Sequence, residues 1–283
     1  MADTANENEM PISWQEKRDS GIKRWEGRVA VVTGASSPIG MAICEDLVKH
    51  GLFVFGLATR AGKYELEALS KKLEKDNELG KLFAFECDIK EEGHVEPIFR
   101  YIGDYHDGID LLVNNANIMS KGLILDDDNT SILRDVMETN IIGMCLVTRE
   151  AAKLMKMRKE ERKNLGHVIN VMSVVGHKFG TTNTRSKPLN GLYPASRHAS
   201  TAITECIRQE FLFFYENVKI TAISPGFVEG QDTDILTEEE KSHGKMPSLS
   251  PKDVSAAVLY AISVKDEVQV INLIFILSIL NVI

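Results

Sequence analysis

The stretch at residues 28–40, RVAVVTGASSPIG, constrains this chain more than any other. It opens with an apolar, β-branched run, Val29, Ala30, Val31, Val32 and Thr33, which predicts a strand. Gly34 breaks the run, and small residues lead to Pro38. Proline suits the first turn of a helix, because its missing N–H would be unbonded there. Ile39, Ile43, Leu47 and Val48 then recur at helical spacing. Strand, small-residue turn, helix is the order that aims free backbone N–H groups at a phosphate. The chain is therefore expected to hold a dinucleotide, with Gly34, Ser36, Ser37, Ile39 and Gly40 as candidate contacts.

The same alternation continues along the chain. Apolar runs at residues 52–59, 82–89, 110–117, 167–172, 218–223 and 268–276 read as further strands. Helical periodicity separates them at residues 64–77, 94–105 and 127–156, and again after Tyr193. A last helix is expected from Ser250, with Pro251 and Asp253 completing its start signal. Alternating strands and helices predict an α/β fold. We expect a single Rossmann domain whose doubly wound, mostly parallel sheet has about seven strands, with right-handed crossovers.

The chain's 283 residues are enough for one such domain. Residues 1–23 are polar and aperiodic and read as a flexible extension, so the domain is expected to span residues 24–283, with Trp25 its first anchor. A net charge of -8 gives nucleic acid or an anionic membrane no electrostatic footing. Cys44, Cys87, Cys145 and Cys206 lack metal-ligand spacing and have apolar neighbours. They read as buried free thiols in a reducing compartment, and no metal is expected. The N-terminus lacks the basic-then-apolar start of a secretory signal, which predicts a cytoplasmic location.

Several stretches in order resemble the short-chain dehydrogenases/reductases. Residues 33–40, TGASSPIG, resemble the TGxxxGxG fingerprint; residues 114–117, NNAN, resemble NNAG; and Asn140 in ETNIIG stands where that family has its asparagine. Ser173 ends the fifth apolar run, Tyr193 begins YPASR where the family has YxxxK, and residues 225–228 read PGFV. The likeness covers roughly residues 28–276. The IKRWEGRVAVVTGASS opening and the IRQEF helix are most similar to the farnesol dehydrogenase-like (family-member-11-like) branch.

That resemblance implies an oxidoreductase interconverting an alcohol and a carbonyl on a small hydrophobic substrate, isoprenoid or steroid-like. It implies a catalytic set of Asn140, Ser173, Tyr193 and Arg197, in which Asn140 holds a relay water, Ser173 bonds the substrate oxygen and Tyr193 exchanges the proton. It further implies cofactor contacts from Asp88, Ile89, Asn115, Ala116, Tyr193, Arg197, Pro225 and Val228, a substrate loop near residues 227–249, and a homodimer or homotetramer. The family's second strand ends at the adenosine ribose. An acid there would suit NAD, whereas Arg60 follows here, so NADP is expected in preference to NAD.

Four residues depart from the family pattern around the cofactor: Pro38, Asn117, Arg197 and Gly230. An alternative therefore stands beside the enzyme, a nucleotide-binding homologue with weak or no turnover. The uncharged tail from Val268 is shorter than the roughly 20 apolar residues of a membrane span and is read as a buried strand, with residues 277–283 a divergent end.

Overall fold

The computed structural model describes residues 21–76, 78–119, 123–158, 166–178, 191–215, 217–231 and 248–277. Seven parallel strands form one sheet in the order β3-β2-β1-β4-β5-β6-β7. They are β1 (Val29–Thr33), β2 (Phe53–Ala58), β3 (Lys81–Glu86), β4 (Leu111–Asn114), β5 (Gly166–Val171), β6 (Val218–Pro225) and β7 (Asn272–Phe275). The helices are α1 (Pro38–Lys49), α2 (Arg60–Lys75), α3 (Glu92–His106), α4 (Thr130–Met137), α5 (Met144–Met157), α6 (Tyr193–Phe214) and α7 (Pro251–Ser263).

All five residues of β1 are buried, as a strand covered on both faces requires. Its side chains alternate. Ala30 and Val32 join a core with Ile43, Leu47, Leu66, Val254 and Val258 from α1, α2 and α7. Val29 and Val31 join the opposite core, with Phe99, Ile102, Val147, Ala151 and Phe211 from α3, α5 and α6. The strand order turns between β1 and β4, so the crevice at their carboxyl ends is the topological switch point where such sheets take ligands.

The opposite end of the sheet is closed by a buried carboxylate. Asp110 accepts a hydrogen bond from Val29 N at 2.9 Å and pairs with Arg158 at 3.4 Å and Arg28 at 3.6 Å. Each partner offsets part of the cost of burying that charge.

Four expectations change. Gly21, Ile22 and Lys23, read as extension, lie in a 3-10 helix (Gly21–Trp25), because Trp25 is buried and donates its indole N–H to Ile262 O at 2.7 Å. The helix expected over residues 127–156 is three pieces, because a π-helical segment (Glu138–Gly143) separates α4 from α5. Strand β7 is not buried on both faces. It is an edge strand paired to β6, and Ile274 is about half exposed. Cys206 is exposed on α6, whereas Cys44 and Cys87 are buried and Cys145 half-buried; all four are free. Residues 1–20, 179–190, 232–247 and 278–283 lie outside the described residues, so most of the expected substrate loop and tail is not described.

Candidate active site

The turn after β1 is built as its residues dictate. Gly34 has φ +58, and a Cβ there would stand 2.6 Å from Ala116 Cα, so this position admits only glycine. Ser37 is the N-cap of α1, its hydroxyl accepting from Gly40 N at 3.1 Å, and Pro38 follows at the first helical position. Met41 N bonds Ser37 O. With Gly40 and Met41 committed and Pro38 carrying no N–H, Ile39 N is the first-turn amide with no acceptor among the described residues. Ser36 instead packs its hydroxyl against Gly62 of α2.

Asn115 binds this turn to the end of β4. Its Nδ2 donates to Thr33 O at 3.1 Å, Gly34 O at 2.9 Å and Ser37 Oγ at 3.1 Å. Thr33 Oγ1 returns the contact, accepting from Asn115 N and Ala116 N. Asn117 turns its amide toward Asn115 O at 3.4 Å. After β3, the Asp88 carboxylate accepts from Lys90 N, and Ile89 is buried against Gly143. Burial raises the Cys87 thiol to about 12, with a smaller push from Asp88, so it forms no thiolate near neutral pH.

Arg60 is not in a free loop. It begins α2 and is 82% exposed, with Nε 3.3 Å from Glu86. No acid follows β2, but the parallel register sets Ala58 beside Glu86 and brings one in from β3.

Asn140 lies in the π-helical segment and is 1% exposed. Its Oδ1 accepts from Ile118 N at 2.9 Å, and its Nδ2 donates to Ile118 O at 2.9 Å and Ser196 Oγ at 3.0 Å. The side-chain amide is thus spent on the protein's own groups. Ser196 passes the contact on, donating to Tyr193 O at 2.7 Å. Sequence reading missed Ser196; its only signal was its place within YPASR. It missed as well a buried polar ladder in which Asn114 meets Thr148 and Asn170, and Asn170 meets Thr204, joining β4 and β5 to α5 and α6.

Tyr193 opens α6 and is 6% exposed. One turn later Arg197, 2% exposed, holds its guanidinium carbon 5.1 Å from the Tyr193 ring centroid. Ser173 leads into a turn (Val174–Gly176) that leans on this helix: a Cβ at Gly176 would stand 2.8 Å from Arg197 O, and Thr201 Oγ1 bonds Gly176 O at 3.4 Å. His177 Nε2 lies 2.9 Å from Ser224 Oγ, which ties that turn to β6 just before Pro225. Val228 is buried and bridges to Leu249. Gly230 has φ +77, and a Cβ there would meet Pro38 Cγ at 3.5 Å, so two of the departing residues are neighbours.

Some buried polar atoms have no hydrogen-bond partner among the described residues: Arg197 Nε and Nη2, and Asn115 Oδ1. Two donors and an acceptor left over at the carboxyl edge of the sheet suit an oxygen-rich group such as a dinucleotide. Among the described residues no group of three His, Cys, Asp or Glu side chains could hold a metal ion, and no helix is long and apolar enough to cross a membrane.

The chain is 41% identical over 251 residues to a farnesol dehydrogenase of Aedes aegypti, covering 88% of this chain and 95% of that one. It is 34% identical to the human dehydrogenase/reductase SDR family member 11, covering 88% and 94%. Among solved structures, an alcohol dehydrogenase from Thermococcus sibiricus complexed with 5-hydroxy-NADP shares the fold at TM-score 0.69 and 22% identity, covering 88% of this chain and 96% of that one. A Sinorhizobium meliloti dehydrogenase/reductase does so at TM-score 0.75 and 19% identity, covering 93% and 98%. The sequence profile of the short chain dehydrogenases matches residues 28–243, so the chain belongs to the short-chain dehydrogenase/reductase family, oxidoreductases that bind NAD(P) and act on alcohols and carbonyls.

Proposed function

We propose that this protein is an NADP-dependent oxidoreductase that interconverts an alcohol and a carbonyl on a small hydrophobic substrate, isoprenoid or steroid-like. The observation that carries the reading is the Arg197 guanidinium set against the Tyr193 ring, with Ser196 linking Tyr193 to Asn140. The likeness to a farnesol dehydrogenase supports the substrate class. Arg60, which opens α2 just after β2, supports NADP over NAD.

Gly34, Ser36, Ser37, Ile39 and Gly40 would cradle the phosphates, Arg60 the 2′-phosphate, and Asp88 and Ile89 the adenine edge. Asn115, Ala116, Tyr193, Arg197, Pro225 and Val228 would hold the nicotinamide half. The nicotinamide ring, when bound, exchanges a hydride with the carbinol carbon. In the reducing direction Tyr193 Oη gives its proton to the substrate oxygen and is left as tyrosinate. The tyrosinate is an anion, and the Arg197 guanidinium beside the Tyr193 ring supplies the opposite charge. Among the described residues Ser173 Oγ accepts a long bond from Val175 N, which leaves its hydrogen for the same substrate oxygen.

The test is a nicotinamide-fluorescence titration with NADPH and NADH, followed by turnover on a panel of apolar alcohols and ketones. Tyr193→Phe, which keeps the ring and removes the transferable proton, should cost about 10²–10⁴-fold in turnover. Unchanged turnover refutes the acid/base role. A second reading, a nucleotide-binding homologue with weak or no turnover, draws support from Pro38 and Gly230: one removes an amide donor from the phosphate turn, and the other packs against it. NADPH binding with no turnover on any substrate would favour it.

We also read the protein as a cytoplasmic homodimer or homotetramer. The four free cysteines support a reducing compartment. Ile142 and, on α6, Leu212 and the 81%-exposed Phe213 offer apolar surface for pairing through the long helices. Light scattering on a size-exclusion column reads the mass.

A further inference from the structure

We propose that His177 is a positioning residue: it fixes the turn that carries Ser173 against β6, and so sets where the Ser173 hydroxyl stands. The inference rests on the role proposed for Ser173 and goes beyond it in naming what holds that serine in place. Strands β5 and β6 run in register to Val171 and Ile223, and Met172 N extends the ladder to Ile223 O at 2.7 Å. Ser173 then leads out of the sheet into the turn Val174–Gly176. The turn closes on itself through Gly176 N to Ser173 O at 2.9 Å and His177 N to Val174 O at 3.0 Å. Those bonds set its shape, not its place. Thr201 Oγ1 and the close approach of Gly176 to Arg197 O hold it to α6. His177 Nε2, 2.9 Å from Ser224 Oγ, holds it to β6, and Ser224 is fully buried there. The imidazole thus adds a side-chain rung after the main-chain ladder has parted. A hydroxyl both donates and accepts, so Ser224 can meet either tautomer of the ring. Ser173 Oγ accepts from Val175 N at 3.4 Å, too long a bond to lock the hydroxyl, so the backbone beneath it decides its position. A misplacement of about 1 Å in such a group can cost about 10²-fold in rate.

The experiment compares the full chain with His177→Leu, Ser224→Ala, the double variant and His177→Gln. Leucine fills space without bonding Ser224, whereas glutamine offers an amide in place of the ring nitrogen. The first readout is amide hydrogen exchange. Gly176 and Lys178 should exchange about 10-fold faster in His177→Leu and in Ser224→Ala, while amides of β5 and β6 keep the parent's rates. The second is turnover on the ketone panel at saturating NADPH. It should fall about 10–100-fold in each of those variants, and the double variant should be no slower than the worse of the two. His177→Gln should recover most of both losses. Unchanged exchange at Gly176 and Lys178 would overturn the proposal, as would additive turnover losses or a His177→Gln as slow as His177→Leu. A lower thermal midpoint with saturating turnover unchanged would also overturn it, because His177 would then be a packing contact alone. If the parent turns over none of the panel, the proposed function fails, and the exchange rates still decide whether His177 holds the turn.

Discussion

Removing the Asn140 side chain decides whether that residue acts on the reaction or on the protein. Asn140→Ala deletes three hydrogen bonds, two to the backbone of Ile118 and one to Ser196 Oγ. A typical bond contributes about 1 kcal/mol net, and an orphaned buried partner can raise that to about 3. Here the partners are partly protected. Ile118 is 36% exposed, so its backbone can turn to water, and Ser196 keeps its bond to Tyr193 O. The loss should therefore stay near the low end, about 3 kcal/mol in total. With a urea slope of about 3 kcal/mol/M, the unfolding midpoint should fall by about 1 M. Asn140→Asp should cost at least as much, because it sets a carboxylate oxygen against Ile118 O and buries a charge. Urea unfolding followed by circular dichroism measures both. Turnover, read under conditions where the variant is folded, should fall through displacement of Ile118 and of the Ser196–Tyr193 contact. A variant as stable as the parent within about 0.5 kcal/mol, yet about 100-fold slower, would refute this account. It would show the amide acting directly on bound water or ligand, the role the sequence suggests.

Further measurements bear on the cofactor and on acid stability. Arg60→Ala should weaken NADPH and leave NADH nearly unaffected, and Glu86→Gln should tighten NADPH a few-fold by releasing Arg60; equal losses for both cofactors in Arg60→Ala would remove the assignment. His167 is buried against Thr221, and burial first, then the charges of Lys219 and Arg24, pushes it down to about 3. Between that value and the ordinary one near 6.5 the unfolded chain binds a proton that the folded chain does not, so stability rises with pH across this window and is lost on acidification. From pH 6.5 to 5 the loss is about 2 kcal/mol. Urea unfolding at pH 7.5 and 5.0 should show His167→Gln less acid-sensitive than the parent, and equal sensitivity would contradict the assignment. Asp110→Ala should cost about 3–5 kcal/mol, read by the same unfolding assay, because it removes a buried carboxylate that accepts from Val29 N and pairs with Arg28 and Arg158; a loss below about 1 kcal/mol would contradict that.

The strand, turn and helix at residues 28–40 are legible in the sequence because their signals all fall within a dozen residues: a β-branched run, a glycine at positive φ, a serine cap and a proline behind it. The alternation of strands and helices and the order of Asn140, Ser173 and Tyr193 along it are legible for the same local reason. What stands opposite each residue was decided by tertiary structure. Glu86 reaches Arg60 only because β3 pairs with β2 in a register that sets Ala58 beside Glu86. The Asn140 amide meets Ile118, 22 positions away, and Ser196, 56 positions away, partners that only the fold brings to it. Strand β7 is as apolar as an interior strand, yet its place at the sheet edge leaves Ile274 half exposed. Arg197 reads in sequence as a charge four residues after a tyrosine. Only the fold makes it a buried cation whose Nε and Nη2 meet no hydrogen-bond acceptor among the described residues, because burial depends on which distant segments close around it.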